Sequence, residues 1–224
     1  MNILNRIINY IYKLLLIKRK KWFIIEGNIG SGKTELLNKI IKYIDCEVIK
    51  EPVEVWQNIS HDGKNILQLF YEDPTRYAYL FQTVVFKTRL QSIDYKQIKQ
   101  YRFTERSIWT DKHVFGKLCM ETNLMNNIEQ IAYNYWFEWL EEKFFRKPDG
   151  IIYLHCRPDK CYERMNNRSR TEESTVSIDY LQKIHINHEN WLKKETNVNV
   201  LILDNNNDND WENIIKKIKY FIQK

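Results

Sequence analysis

"IIEGNIGSGKTELL", residues 24–37, places a glycine-rich turn between an apolar run and an apolar-periodic one. Residues 27–34 match the pattern GxxxxGK followed by Ser or Thr, and they lie after a predicted strand and before a predicted helix, as the motif requires. Glycines let backbone N–H groups approach phosphate oxygens, and the helix N-terminus adds positive potential. We therefore expect a nucleotide site in which Lys33 reaches the terminal phosphates and Thr34 binds Mg²⁺. The residues expected to hold the phosphates are Gly27, Asn28, Ile29, Gly30, Ser31, Gly32, Lys33 and Thr34.

Outward from this motif, strand-like and helix-like runs alternate along the chain. The alternation predicts an α/β protein of the P-loop NTPase fold, with a five-stranded parallel sheet flanked by helices. The predicted strands are KWFIIEG (21–27), CEVIKEPV (46–53), YRFTERS (101–107), DGIIYLHC (149–156) and NVNVLILD (197–204). The predicted helical stretches are 34–44, 65–101 with a break near Asp73-Pro74, 111–145 and 178–195.

The size and composition fit one globular domain, with 224 residues, 43% apolar and 29% charged. The net charge of +6 suits an anionic partner, such as a nucleotide, a nucleic acid or a membrane surface, without choosing among them. The four cysteines are scattered and are expected to be reduced thiols. The histidines show no finger-like zinc spacing and are expected on helix surfaces or in the core.

The first 21 residues form a basic, apolar-periodic extension, and the predicted P-loop domain covers 22–224. The extension contains no acidic residue and is too short and too charged for a comfortable membrane span. Three interpretations stay open: a helix packed on the domain, an interfacial anchor that contacts a membrane, or a targeting peptide. We expect a cytoplasmic protein, or a mitochondrial one if the extension is a targeting peptide.

Two motifs follow predicted strands and carry acidic groups. In EPVEVW (51–56), Glu51 lies at the carboxyl edge of the sheet, where it could accept a proton from an attacking hydroxyl, and Trp56 could wall a base. In ERSIWTD (105–111), Glu105 is placed to hold Mg²⁺ and Arg106 to meet the hydroxyl oxygen and the phosphate. Each motif alone is equally compatible with a structural role.

The segment RMNNRSRTEES (164–174) concentrates cationic side chains after the fourth predicted strand and its helix. Arg164, Arg168 and Arg170 suit the charge of a transferring phosphoryl group, and such a segment can act as a lid that excludes water. Taken alone, the segment is better explained as a solvated charged helix.

The whole set of motifs, in this order, resembles the deoxyribonucleoside kinase family, from about Trp22 to the end of the chain. That family includes deoxycytidine, deoxyguanosine and mitochondrial thymidine kinases and the insect multisubstrate enzyme. The resemblance rests on IEGNIGSGKT (25–34), EPVEVW (51–56), FYEDPTRYAYLFQ (70–82), ERSIWTD (105–111), RSRTEES (168–174) and YLQKIHINHENWL (180–192).

The resemblance implies phosphorylation of a nucleoside 5′-hydroxyl by ATP with Mg²⁺, and commonly a homodimer. It implies catalytic roles for Lys33, Glu51 as general base, Arg106 and Arg168, and lid positions for Arg164, Arg168 and Arg170. Thr34 and Glu105 would hold the metal. Tyr71 and Glu173 would hold the sugar 3′-hydroxyl, and Gln82 would pair with the base. The remaining implied substrate contacts are Trp56, Phe81, Phe115, Arg89 and Asp111.

An arginine–aspartate pair is the family feature that bears on the base. The matching residues here are Arg89 and Asp111, which offer donors to a purine or cytosine and would crowd the methyl group of thymine. We expect purine deoxynucleosides or deoxycytidine to be favoured over thymidine. Val85 is bulkier than the alanine or serine expected beside the pair, and TDKHVF (110–115) departs from the family's SDRYIF, so the choice among the three bases stays open.

Two other functions compete with this interpretation. A thymidylate-type monophosphate kinase shares the phosphate loop and arginine lid, but ordinarily has an Asp-Arg pair for the substrate phosphate, where this chain has Glu51 and ERS. A non-catalytic kinase-like subunit would have lost some of Lys33, Glu51, Glu105 and Arg106. Net charge is all that favours a nucleic-acid partner, and we expect none.

Overall fold

The computed structural model describes residues 19–93, 96–195, 197–207 and 210–224. The strands are β1 (Lys21–Glu26), β2 (Cys46–Ile49), β3 (Ser60–His61), β4 (Lys64–Asn65), β5 (Tyr101–Glu105), β6 (Gly150–His155) and β7 (Val200–Asp204). Five of them form a parallel sheet, as the alternation predicted, and their order in the sheet is β2-β5-β1-β6-β7. The other two, β3 and β4, form a small hairpin.

Helices connect the strands and cover the sheet. They are α1 (Lys33–Tyr43), α2 (Val53–Asn58), α3 (Ile66–Glu72), α4 (Pro74–Ile93), α5 (Ile108–Thr110), α6 (Lys117–Glu121), α7 (Asn127–Phe144), α8 (Pro158–Arg168), α9 (Ile178–Leu192) and α10 (Trp211–Gln223). A π-helical turn, Asp111–Gly116, joins α5 to α6, and a 3₁₀ turn, Thr171–Glu173, follows α8.

The alternation of side chains along each strand feeds a separate apolar cluster on each face of the sheet. On β6, Ile152 and Leu154 pack with α1 and α10, whereas Ile151 and Tyr153 face α8 and α9. Both faces are buried, which explains why the strands read as almost continuous apolar runs. A third cluster joins α2, α3, α4 and α7 beyond the carboxyl edge of the sheet.

The carboxyl ends of the parallel strands bring the predicted motifs to one edge. β1 ends at Glu26 and leads into the glycine-rich loop. β2 ends at Ile49, two residues before Glu51, and β5 ends at Glu105, directly before Arg106. Since β5 lies between β2 and β1, the three motifs are neighbours at the place where open α/β sheets bind ligands.

The structure departs from the predicted elements in two places. The β3–β4 hairpin was not predicted, although Asp62-Gly63, both with positive φ, is a strong hairpin signal. The helical pattern expected up to Tyr101 ends at Ile93, because the chain turns to enter β5. The Gln97 side-chain amide supports this turn by donating to the carbonyl oxygens of Lys21 and Gln100.

The three interpretations of the N-terminal extension fall almost wholly on residues 1–18, outside the described part of the chain. Its boundary with the domain at residues 21–22 therefore stays a prediction. Among the described residues, every helix is too short or too polar to cross a bilayer.

Candidate active site

The glycine-rich loop is shaped by three glycines with positive φ, Gly27, Gly30 and Gly32. At Gly30, a Cβ atom would lie 2.2 Å from the carbonyl oxygen of Cys161, so α8 packs directly on the loop backbone. The Asn28 side chain anchors the loop to α9 by donating to the carbonyl oxygen of Leu181 at 2.9 Å. The loop is therefore held from two sides, in a conformation that leaves no room for a side chain at residue 30.

Lys33 is the first residue of α1 and is almost completely buried. Its Nζ atom donates to the carbonyl oxygen of Asn28 at 2.7 Å, so the ammonium group curls over its own loop. Burial lowers the pKa of Lys33 to about 8, and the nearby Arg106 acts in the same direction against the carboxylates around it. A phosphate group bound at this loop would stabilise the charge of the desolvated Lys33 ammonium.

Thr34 and Glu105 bring oxygen ligands together beside the loop. The Thr34 hydroxyl donates to both carboxylate oxygens of Glu105, at 3.0 and 3.2 Å. A hydroxyl and a carboxylate next to a phosphate site are the donor set that Mg²⁺ takes in P-loop proteins, so these residues fit the expected metal.

Glu51 and Arg106 form a short charged contact in the site. Nη1 of Arg106 lies 2.6 Å from each oxygen of Glu51, and the guanidinium also lies 4.7 Å from the Phe115 ring centroid. Burial opposes the charge on Glu51, but Arg106, Arg89 and Lys33 outweigh it and lower its pKa to about 2. Arg106 has φ of +63°, a strained backbone that is common where a side chain must be aimed at a ligand.

Arg89 and Asp111 form the pair that the resemblance implied. Nε of Arg89 lies 3.1 Å from Oδ2 of Asp111, and both side chains are buried, so Arg89 does not point to solvent. Nη2 of Arg89 also contacts Glu51 at 3.2 Å, which the sequence did not predict. Burial opposes the charge on Arg89, but the carboxylates of Asp111 and Glu51 raise its pKa, so it stays protonated.

Aromatic side chains of α2, α3 and α4 line the pocket next to this pair. Trp56 meets Phe81 edge-on at 5.3 Å, and its Nε1 donates to the Thr88 hydroxyl at 3.2 Å, which fixes the indole. Phe70, which sequence reasoning missed although it adjoins Tyr71 in the quoted motif, stacks on Phe81 at 5.0 Å. The pocket is thus a flat apolar slot of the kind that accepts a planar ring.

Gln82 is the polar group in the wall of this slot. The side chain is buried, and its Oε1 atom has no hydrogen-bond partner among the described residues. A buried amide without a partner is costly unless a ligand satisfies it. Val85, one turn further along α4, is also buried and narrows the pocket on the same side.

Glu173 binds two of the three lid arginines, Arg168 and Arg170, on the opposite side of the cleft. Its carboxylate accepts from Arg168 at 2.6 and 2.8 Å and from Arg170 at 2.9 Å. Tyr71 lies partly buried beside it; desolvation raises the pKa of the Tyr71 phenol and the Glu173 charge raises it further. Tyr71 is therefore a neutral hydrogen-bond donor. Tyr180, which opens the motif YLQKIHINHENWL but was given no role by the sequence analysis, meets the Tyr71 ring edge-on at 6.1 Å.

Two further lid residues, Arg164 and Glu172, connect the lid to the rest of the protein. Arg164 donates to the carbonyl oxygen of Asn205 at 2.9 Å, and the Asn205 amide donates to the carbonyl oxygen of Ser31 in the phosphate loop. Glu172 accepts from Gln57 of α2 and Asn65 of β4, at 2.8 and 2.9 Å. Glu172 carries no motif signature beyond its position in TEES, and sequence reasoning did not assign it.

A single cleft of about 890 Å³ unites these groups. Among the predicted phosphate-loop residues, Gly27, Asn28 and Ser31 support the loop from behind without lining the cleft. The predicted residues that line it are Ile29, Gly30, Gly32, Lys33, Thr34, Glu51, Trp56, Tyr71, Phe81, Gln82, Arg89, Glu105, Arg106, Asp111, Phe115, Arg164, Arg168, Arg170 and Glu173.

Comparison with known proteins covers nearly the whole chain. A family model described as deoxynucleoside kinase matches residues 23–223, which include every residue of the cleft. A probable deoxycytidine kinase of fowlpox virus (strain NVSL) is 40% identical over 88% of this chain and 83% of its own length. The mitochondrial deoxyguanosine kinase of Xenopus laevis is 36% identical over 84% and 82%. The mitochondrial thymidine kinase 2 of Macaca fascicularis is 35% identical over 79% and 66%.

Proposed function

This chain belongs to the deoxynucleoside kinase family, and we propose that it transfers the terminal phosphoryl group of ATP to the 5′-hydroxyl of a deoxyribonucleoside. The observation that carries this proposal is the position of Glu51. Its carboxylate contacts Arg106 at 2.6 Å, in the same cleft as the phosphate loop and the aromatic slot. A nucleoside 5′-hydroxyl held between the aromatic slot and the phosphate loop would contact both the Glu51 carboxylate, as general base, and the Arg106 guanidinium.

Glu51 would act as a weak base, because its pKa lies near 2 while it is held by arginines. In a loose transition state, the bond from the γ-phosphorus to the bridging oxygen is largely broken before the new bond to the 5′-oxygen forms. The attacking hydroxyl becomes acidic late, so a weak base is sufficient to accept its proton. Arg106 then stabilises charge on the 5′-oxygen and the transferring group, and the diphosphate leaves.

The other groups position the two substrates. Lys33 would bind the terminal phosphates of ATP, and Arg168 would reach the transferring group when the lid contacts rearrange around it. Thr34 and Glu105 would hold Mg²⁺, which neutralises phosphate charge when bound. Tyr71 and Glu173 would hold the sugar 3′-hydroxyl, which favours a deoxyribose.

The Arg89–Asp111 pair supports a preference for purine deoxynucleosides or deoxycytidine over thymidine. Asp111 fixes the guanidinium at the deep end of the slot, where its remaining donors suit a ring nitrogen or carbonyl oxygen. Val85 narrows the same end and would crowd a methyl group. Gln82 would pair with the base edge, and its unpartnered Oε1 atom is free to accept from an exocyclic amine.

An exposed aromatic face supports the homodimer that we also propose. Along α7, Ile131, Tyr135, Trp136 and Trp139 are all exposed, and Phe144 continues the patch at the end of the helix. Contiguous apolar surface of this kind marks interaction sites in soluble proteins. Sedimentation of the purified chain at several concentrations tests this assignment.

The direct test is a phosphorylation assay with ATP and Mg²⁺ over the four deoxynucleosides and their monophosphates. We expect turnover of deoxycytidine or a purine deoxynucleoside with little turnover of thymidine. Thymidine as the best substrate would contradict the role of Arg89, and activity on a monophosphate alone would favour the thymidylate-type kinase. Inactivity on every substrate would favour a non-catalytic subunit.

Glu51→Gln tests the base. We expect kcat to fall by about 10²–10⁴-fold, because general-base catalysis contributes that much, while deoxynucleoside binding by calorimetry changes little. Glu142→Gln, at an exposed position of α7 outside the cleft, is the matched control. Full turnover by the Glu51 variant would remove this residue from the role.

A further inference from the structure

Three side chains from two separate segments of the sequence meet on the far side of β6 from α1. His155 is the last residue of β6, and His185 and Glu189 lie one turn apart on α9. Each offers one ligand atom, and the three ligand atoms lie within 4.8 Å of one another. Nε2 of His155 lies 3.8 Å from Oε1 of Glu189, and the two imidazole centroids are 5.4 Å apart.

Buried atoms of this cluster lack partners within the described part of the chain. Nδ1 of His185 and Oε1 of Glu189 are shielded from solvent and make no hydrogen bond there. The other oxygen of Glu189 accepts from Lys193, whose side chain is 62% exposed and can turn away into solvent. A carboxylate oxygen that is shielded from solvent and lies beside two imidazoles is a position that a cation would stabilise.

We propose that His155, His185 and Glu189 bind a divalent transition-metal ion of the zinc type. Ligand atoms around tetrahedral Zn²⁺ lie roughly 3.3 Å apart, given bond lengths of about 2.0–2.1 Å. The observed separations reach that value with small side-chain rotations. Three protein ligands of two nitrogens and one oxygen leave a fourth position for water.

The donor set of the cluster, two imidazole nitrogens and one carboxylate oxygen, suits a zinc-type ion. Imidazole ligands select zinc-like ions over Mg²⁺, which separates this cluster from the all-oxygen pair Thr34 and Glu105.

The ion would clamp β6 to α9, and α9 supports the phosphate loop. Leu181 of α9 accepts the hydrogen bond from Asn28, and His188 lies 3.6 Å from Glu26 at the end of β1. The proposed ion is thus structural and does not contact the nucleotide. It does not depend on the phosphoryl-transfer proposal, because its test measures metal binding and stability alone.

The experiment uses the full chain, stripped with EDTA and dialysed free of chelator and nucleotide. Titration with ZnCl₂ against a chromophoric chelator measures stoichiometry and affinity, and thermal unfolding measures the accompanying rise in Tm. We expect one equivalent of Zn²⁺ to bind. His185→Gln and Glu189→Gln should each weaken binding by about 100-fold or more, since loss of outer-shell partners alone costs about 10–100-fold.

The control is His61→Gln, which removes an exposed histidine of the β3–β4 hairpin. It should bind Zn²⁺ like the unaltered chain. Equal loss in the control, or equal binding in all variants, would overturn the proposal, as would the absence of binding. CoCl₂ added to the unaltered chain gives a test that needs no variant. A tetrahedral visible spectrum without a thiolate charge-transfer band supports the cluster, and a thiolate band would assign the ion to cysteine instead.

Discussion

The Nη2 atom of Arg89 lies 3.2 Å from Oε1 of Glu51, while Nε of the same guanidinium lies 3.1 Å from Oδ2 of Asp111. Arg89, which we propose contacts the nucleobase, therefore also contacts Glu51, the proposed general base at the 5′-oxygen. Because Arg89 is one of the three cations that lower the pKa of Glu51, the two ends of the nucleoside site are electrostatically linked.

Arg89→Met should shift the acid limb of the rate profile. Removal of a cation raises the pKa of Glu51, so protonation of this carboxylate begins at higher pH. We expect kcat of the unaltered protein to be flat down to about pH 5, with the limb of the variant displaced to higher pH. The measurement is kcat against pH with saturating substrates. Arg76→Met, an exposed change on the same helix, should leave the profile unaltered.

The same variant leaves Asp111 buried without its partner. This should lower the free energy of unfolding by about 3–5 kcal/mol, which denaturant unfolding measures. Arg89→Met combined with Asp111→Asn removes the uncompensated charge and should recover part of the loss. If the double variant is as unstable as the single one, the pair is not the source of the effect.

Lys33 should make ATP affinity depend on alkaline pH. The pKa of Lys33 in the free protein is about 8, so above that pH the ammonium must regain a proton before it binds phosphate. We expect KM for ATP to rise by at most about tenfold per pH unit above pH 8. Lys33→Arg, with a group that stays protonated, should show no such rise, although its KM is higher throughout.

The stability of the free protein should rise with pH over the range in which its affinity for ATP falls. Between pH 8 and the ordinary lysine pKa of 10.5, the unfolded chain binds a proton at Lys33 that the folded chain does not. Stability therefore gains a contribution that increases with pH across this window. Lys33→Met removes the contribution, so the difference in unfolding free energy between the two proteins should narrow as the pH rises.

Tyr71→Phe should affect substrates according to their 3′-hydroxyl. A hydrogen bond that involves a charged partner such as Glu173 contributes about 1.5–3 kcal/mol, so kcat/KM for a deoxynucleoside should fall by about 10–100-fold. A 2′,3′-dideoxynucleoside lacks the hydroxyl and should be phosphorylated equally by both proteins. A matching fall with the dideoxy substrate would mean that Tyr71 shapes the slot rather than holding the sugar.

Gly30→Ala and Gly63→Ala form a matched pair of glycine substitutions. Their φ angles are +75° and +77°, so the backbone strain of an added side chain is the same, about 1–2 kcal/mol. At Gly63 no described atom lies within 4 Å of the new Cβ, whereas at Gly30 the Cys161 carbonyl oxygen lies 2.2 Å away.

The difference between the two variants thus reports the contact between loop and α8. Gly30→Ala should be the less stable protein by thermal unfolding and should lose about 100-fold in kcat/KM for ATP, because displacement of about 1 Å has that effect. Gly63→Ala should keep its activity. Similar kinetics in both variants would show that the loop adapts to the side chain.

Strand positions followed from the sequence because the three central strands bury both faces and each strand ends in a turn or motif. The carboxyl-edge rule then placed Glu51, Glu105 and Arg106 together without any coordinates. Lys33 and Thr34 were placed by the loop pattern itself. These predictions depend on the order in which strands and motifs follow one another along the chain. A sheet of five parallel strands allows few spatial arrangements of that order.

Contacts between distant helices were beyond that reasoning. Tyr180 reaches the cleft from α9, and Glu172 bridges the lid to α2 and β4, but neither belongs to a periodic or spaced pattern. His155 and His185 are thirty positions apart, and their meeting depends on how α9 crosses β6. Such pairings are set by packing of whole elements, which amino-acid type alone does not encode.

β1 occupies the middle of the sheet, where Ile24 pairs with Thr104 of β5 on one side and with Ile151 of β6 on the other. During synthesis this apolar strand emerges early, yet its second neighbour leaves the ribosome only after two thirds of the chain. Pairings of such long sequence separation close slowly and leave bare strand edges in the meantime. One edge of β1 therefore stays unpaired until β6 has been made, and residues 21–26 are a segment open to wrong pairing in that interval.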